Sequence, residues 1–282
     1  MLTIFATILL AAPLPPGESD FTWNVRSRTD PKNGKAAEIK ATTQDWFPKQ
    51  TAIIVIDMWD DHHCKSAAAR VAEMAPAMNE TLKAARKLGV TIVHSPSACM
   101  KFYKDHPGRK RAQEAPKAAA PMKFQWNYFD EKREAGLPAR LEKAGCSCDS
   151  PEPCSPPTPK WTRQHPLIEI EDDDVISDDG QEVFNVLKDK KIDSVVVMGV
   201  HTNVCVLGRP FGIRQMVKLK EAGLLKSVIL CRDLTDSYHR DPGKHFEGLR
   251  EIVAHIERHW CPTIESTSIT NKDAFRFKGD KT

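Results

Sequence analysis

The 282-residue chain lacks the extremes that would assign it to several large protein classes. It has no strong charge excess: a formal +3 and a pI near 8.4 exclude the basic surface expected of a nucleic-acid-binding chain. Its Lys/Arg-rich piece, 101–117, is broken by Asp105, Glu114 and two prolines and reads as a solvated face. It also has no C-x-x-C pair among its eight cysteines, which removes the usual spacing of a structural zinc site. The apolar stretch Leu2–Ala12 is too short to span a bilayer as a helix. What remains is 40% apolar and 28% charged, the composition of one sizeable α/β domain.

The most informative stretch is Ser194–Gly212, SVVVMGVHTNVCVLGRPFG. Ser194–Met198 is a continuous β-branched run of the kind buried on both faces of a parallel sheet, and Gly199 ends it. Thr202 or Asn203 can then cap a helix, placing Cys205 in its first turn. There the unpaired N–H groups and the dipole favour a thiolate, so the sequence predicts a depressed thiol pKa. A second apolar strand, Thr51–Ile56, ends in Asp57. In open parallel sheets ligands bind at carboxyl strand ends near the topological switch point. An aspartate within reach of a thiol can take its proton and leave a nucleophile.

The order of these elements is apolar strand plus Asp57, helix, strand Val90–His94, acidic segment, GVHTNVCV, helix, Gly223 and strand Ser227–Asp233. It resembles the isochorismatase-like cysteine hydrolases, the family of nicotinamidases and N-carbamoylsarcosine amidases, over about residues 50–270. The resemblance implies a three-layer α/β/α Rossmann-like domain with a mostly parallel sheet. It implies a triad of Asp57, a lysine and Cys205, a cis peptide at Val200–His201, and an oxyanion hole from the N–H groups of His201 and Cys205. A small amide or ureide is then the favoured substrate, because the vinyl-ether hydrolases of this family need no cysteine. No cofactor is implied. Trp59, just past the Asp57 strand end, and Arg163 and Arg209 are the candidate substrate-binding residues.

The chain departs from the family at the lysine. The sequence predicts a strand over Leu167–Ile170, and where the lysine would follow it carries Glu171 and Asp172. A thiolate beside Asp57 still needs a cation. Arg163 precedes the expected strand, and Arg209, four residues after Cys205, shares its helical face.

Around this domain, residues 1–19 read as a secretory signal, implying a periplasmic or secreted protein with no membrane attachment after cleavage. Residues 20–49 read as an irregular arm with one short strand at Phe21, Trp23 and Val25, and 271–282 as a tail. A Cys/Pro-rich insertion at about 98–160 carries Phe102, Tyr103, Phe124, Trp126, Tyr128 and Phe129 and reads as either a lid or a surface excursion. Its Cys146, Cys148 and Cys154 point to disulfides in an oxidising compartment, with Cys64 or Cys99 as the outside partner. Lys65–Leu88 predicts an amphipathic helix kinked or split at Pro76, and Asp179 with Glu182 a capping box. Asp172–Asp174 offer a cation site, although adjacent side chains point in different directions. The expected partner is a small molecule, and a homo-oligomer is compatible with the reading. Two alternatives stay open: a non-catalytic small-molecule-binding protein on the same fold, and a metal-assisted hydrolase using His62 and His63.

Overall fold

Strands form where β-branched runs are continuous and helices where apolar residues recur every three or four positions. A computed structural model describes residues 21–29, 37–134, 136–137, 139–146, 148, 154, 158–241 and 243–281, so the expected signal segment 1–19 lies outside the described residues. The strands are β1 (Phe21–Arg28), β2 (Ile39–Trp46), β3 (Thr51–Ile56), β4 (Thr91–Ser95), β5 (Val175–Ile176), β6 (Ser194–Val200), β7 (Ser227–Asp236) and β8 (Thr263–Ile264). The helices are α1 (Lys65–Lys87), α2 (Pro107–Glu114), α3 (Ala139–Glu142), α4 (Gly180–Asp189), α5 (Ile213–Glu221), α6 (His245–His259) and α7 (Thr267–Thr270).

The strands make one eight-stranded sheet in the order β2-β1-β8-β7-β6-β3-β4-β5, parallel from β8 to β5 and antiparallel only at the β1–β2 end. The chain builds outward in two directions: β3, β4 and β5 go one way, β6, β7 and β8 the other. β3 and β6, paired from Thr51↔Ser194 to Ile56↔Gly199, form the switch point. All six residues of β3 are buried, and Val195–Val200 are too, so both faces of this central pair are covered.

Three expectations change. The arm holds two strands rather than one. β2 (IKATTQDW) is polar and almost wholly exposed, so it carries no alternating apolar signal, and it joins the sheet through full pairing with β1 and through Trp46 against Trp23. Residues 167–170 form no strand, because this backbone is held by side chains instead: Asn79 Oδ1 accepts from the Glu169 N–H and Asp174 Oδ2 from the Glu171 N–H. The strand beside β4 is the two-residue β5, ending at Ile176. β8 is two residues long and lies between β1 and β7, and α7 follows it. The helix over Lys65–Leu88 forms as one element with Pro76 inside it, and Asp179 caps α4 by accepting from Glu182 N at 2.9 Å.

Gly199 is required where the switch-point strands meet. Its φ is +114°, and a Cβ there would collide with the Ile56 carbonyl. The β6–β7 register shifts at this point, and Thr235 Oγ1 donates to the Gly199 carbonyl at 2.7 Å. Gly199→Ala is expected to destabilise the domain by about 3 kcal/mol or more, or to prevent folding; chemical denaturation of the soluble fraction measures it.

Candidate active site

Asp57 follows β3 in a left-handed conformation, φ 50°, which a short polar side chain tolerates better than a bulky one. This turns its carboxylate into the sheet end. Ser97 N donates to Oδ1 at 2.8 Å, Arg209 Nε donates to Oδ2 at 3.0 Å, and the Cys205 thiol hydrogen-bonds the same carboxylate. Cys205 lies in a π-helical turn, Thr202–Val206, rather than an α-helical one, and His201, the residue before it, makes no side-chain cap. The wide turn is closed by the Val206 N–H donating to the His201 carbonyl at 3.1 Å. The Val200–His201 peptide is cis, and the His201 backbone also hydrogen-bonds the Cys205 sulfur. Thr202 and Thr235 hydroxyls, 2.8 Å apart, tie the turn to β7.

The electrostatics reverse one expectation from the sequence. Burial first, and the Asp57 charge second, push the Cys205 thiol well above its ordinary range, against the pull of Arg209 and the His201 backbone. Burial likewise raises the Asp57 carboxyl, opposed by Arg209, Cys205 and Ser97. Burial and the Asp57 charge thus favour a neutral thiol over a preformed thiolate. The helix-end effect invoked from sequence is outweighed because Asp57 is fully buried and Cys205 nearly so. Burial opposes the charge on Arg209, but Asp57 and the thiol hold its proton firmly.

Arg209 is thus the cation beside the thiol. Its neighbour Gly208 has no side chain, which lets Trp126 lie against the turn; a Cβ there would come within 2.7 Å of the indole, and the Arg209 guanidinium sits 5.4 Å from its ring centre. Arg163 is not brought to the site. Its guanidinium reaches Asp60 at 4.0 Å and covers the Phe102 ring on an exposed edge. Glu171 and Asp172 also lie away: they precede β5 and are exposed, and Glu171 pairs with Arg86. Asp174 is committed to Arg86 at 2.6 Å and His94 at 3.0 Å, and Asp172 and Asp173 are exposed. The three acids therefore do not converge on a cation.

The wall over the site is aromatic. Trp59 donates to the Ser97 carbonyl at 3.1 Å and stacks on Trp161 at 4.1 Å. Asp60 holds Trp161 there by accepting from the Thr162 N–H and hydroxyl, at 2.8 and 2.6 Å. Trp126 is one of the insertion's aromatics named from the sequence, whereas only their place in the fold brings Trp161 and Ser97 to the site. His62 stacks on Trp161 at 5.5 Å and meets His201 edge-on at 5.0 Å, while His63 shares a 2.7 Å hydrogen bond with Tyr238. His62 Nδ1 accepts from the Cys64 N–H at 3.1 Å, which removes one of the two nitrogens that the metal alternative needs. Burial and His62 push His201 down to about 3, so its ring is neutral near pH 7.

A hollow of about 730 Å³ opens at the amino end of β4 between Arg86, Val90 and Asp172–Asp174, away from Asp57. A smaller one of about 330 Å³, lined by Trp126, Tyr128, Asn203, Val204 and Leu207, abuts the turn that carries Cys205. The latter adjoins the chemistry, and volume alone does not outweigh that.

Fold and site together define an α/β protein with a buried thiol, carboxylate and guanidinium at the switch point of a mostly parallel sheet. No protein-family model matches the sequence, and no curated protein matches it. Solved structures similar to it include a cysteine hydrolase from Pseudomonas syringae pv. phaseolicola 1448A, 15% identical over 80% of this chain and 94% of that one, TM-score 0.44. An isochorismatase from Pseudomonas putida KT2440 is 11% identical over 79% and 91%, TM-score 0.44. N-carbamoylsarcosine amidase from Thermoplasma acidophilum is 12% identical over 77% and 96%, TM-score 0.40.

Proposed function

We propose that this chain is an exported hydrolase of the isochorismatase-like type that cleaves a small amide or ureide C–N bond through Cys205. The observation that carries the reading is the cluster of buried Asp57 and Cys205 with Arg209 at the carboxyl ends of β3 and β6. The apolar Leu2–Ala12 stretch supports export.

In this reading Asp57 takes the thiol proton as Sγ bonds to the carbonyl carbon, so the thiolate forms only in the course of attack. The carbonyl electron pair moves to oxygen, and the N–H groups of His201 and Cys205 hold the oxyanion. Collapse breaks the C–N bond, and the proton on Asp57 goes to the departing nitrogen, releasing ammonia or an amine and leaving a thioester. Water, deprotonated by Asp57, then attacks the thioester and returns the acid product and the thiol. Arg209 keeps its proton throughout and offsets the negative charge shared by Asp57 and the sulfur.

The test is ammonia release from a panel of primary amides and N-carbamoyl amino acids, with acid-quenched peptide mass spectrometry of Cys205. At least one member is expected to release ammonia and leave a transient acyl mass on the Cys205 peptide. Absence of both across the panel, in protein whose Cys205 can still be alkylated, supports the non-catalytic binding reading instead.

A further inference from the structure

The four cysteines that share neither the active site nor an extended core gather in one place. Cys64 caps the start of α1, and Cys146, Cys148 and Cys154 come to it from the Cys/Pro-rich segment. Cys146 Sγ lies 3.4 Å from Cys64 Sγ, Cys64 Sγ 3.7 Å from Cys148 Sγ, and Cys148 Sγ 3.3 Å from Cys154 Sγ. The disulfides expected from sequence require about 2.05 Å and join sulfurs in pairs. Here Cys64 Sγ and Cys148 Sγ are each close to two other sulfurs, Cys64, Cys146 and Cys148 lie mutually within 4.8 Å, and Cys154 joins them through Cys148. A zinc ion bound to four thiolates at about 2.3 Å places them at the corners of a tetrahedron with edges of about 3.8 Å, which the three distances above approach.

Hydrogen-bond donors face these sulfurs. The Ser66 N–H donates to Cys148 Sγ at 3.4 Å and the Ser66 hydroxyl at 3.2 Å; the Cys154 N–H donates to Cys146 Sγ at 3.4 Å. The Lys65 backbone N–H donates to Cys154. Two of these donors belong to the first turn of a 23-residue helix, whose positive end faces the cluster. N–H···S bonds of this kind orient metal-bound sulfur and disperse its charge.

From these contacts we infer that Cys64, Cys146, Cys148 and Cys154 form a structural zinc site, closed by four protein ligands and separate from Cys205. The absence of C-x-x-C hid it, because one ligand comes from the end of the Asp57 loop and the others arrive far along the chain. Such a site would fasten the insertion to the segment holding His62 and His63, and so brace the aromatic wall over Asp57.

Protein purified under reducing conditions without chelator is expected to hold about one zinc per chain by inductively coupled plasma mass spectrometry. An organomercurial should release that zinc. Cys148→Ser and Cys154→Ser are expected to lose most of it, and Cys205→Ser to keep it. Should those variants fold poorly, Co²⁺ titration of the metal-stripped wild-type chain is the independent measurement. Intense thiolate-to-cobalt charge transfer with tetrahedral d–d bands supports the site. Less than about a tenth of an equivalent of zinc after reconstitution, no charge-transfer band, or a mass deficit from two disulfides among these four residues overturns it.

Discussion

Asp57→Asn is expected to lower kcat/KM for whichever amide the panel identifies by about 1,000-fold or more, while making Cys205 react faster with iodoacetamide at pH 7. The two effects point in opposite directions because Asp57 has two relations to the thiol. As the hydrogen-bonding partner of Cys205 in a buried site, it is the group placed to take the proton, and an amide cannot do that. A loss of about 4 kcal/mol in transition-state stabilisation corresponds to that drop. As a charge, Asp57 holds the thiol pKa up, second only to burial. Asparagine keeps the shape and an acceptor for the Ser97 N–H, which donates to Oδ1 at 2.8 Å, but removes the repulsion, so more thiolate is present at a given pH. Steady-state kinetics and time-resolved alkylation read by peptide mass spectrometry measure both. A parallel fall in hydrolysis and alkylation would mean that Asp57 only holds the fold; unchanged hydrolysis would place the base elsewhere.

How much of this was visible in the sequence depended on whether a feature is written locally. The strands ending at Asp57 and leading to Cys205 are continuous apolar runs, and they lie side by side at the switch point, as the order of elements implied. Arg209 was visible because a helical step of four puts it beside Cys205 even through a π turn. Features set by distant partners were not. The thiol shift was misjudged because a helix N-terminus is readable from sequence, whereas complete burial of the carboxylate beside it is not. Trp161 reaches the site only because Asp60 anchors Thr162, and the four-sulfur cluster spans Cys64 to Cys154 with no local spacing to announce it. The β2 strand faced the opposite difficulty: its residues are polar because it is an exposed edge, and nothing alternates.

The largest remaining effect is expected at Arg209. Its Nε lies 3.0 Å from Asp57 Oδ2, and no other guanidinium is placed on this carboxylate among the described residues. Arg209→Met leaves a buried carboxylate without its cation, a change that typically costs about 3–5 kcal/mol when one partner of a buried pair is removed. Arg209 is a quarter exposed at its side chain, so the stability loss is expected at or below the lower end of that range. The catalytic consequence has a definite sign. Burial already raises the Asp57 pKa and the Arg209 charge is the main influence opposing it, so without Arg209 the carboxyl binds its proton more tightly. The base form is then present only at higher pH, and the acidic limb of the kcat/KM profile moves toward alkaline pH. At pH 7 a fall of about 100-fold follows from roughly 2.7 kcal/mol of lost stabilisation. Alkylation of Cys205 falls with it, in contrast to Asp57→Asn, because the thiol also loses a positive neighbour. Arg209→Lys restores a charge without the planar guanidinium, so it is expected to recover the position of the acidic limb better than the rate. Should Arg209→Met retain both the parent pH profile and the parent alkylation rate, the guanidinium is an ion-pair partner alone and the proton transfers assigned to Asp57 proceed without it.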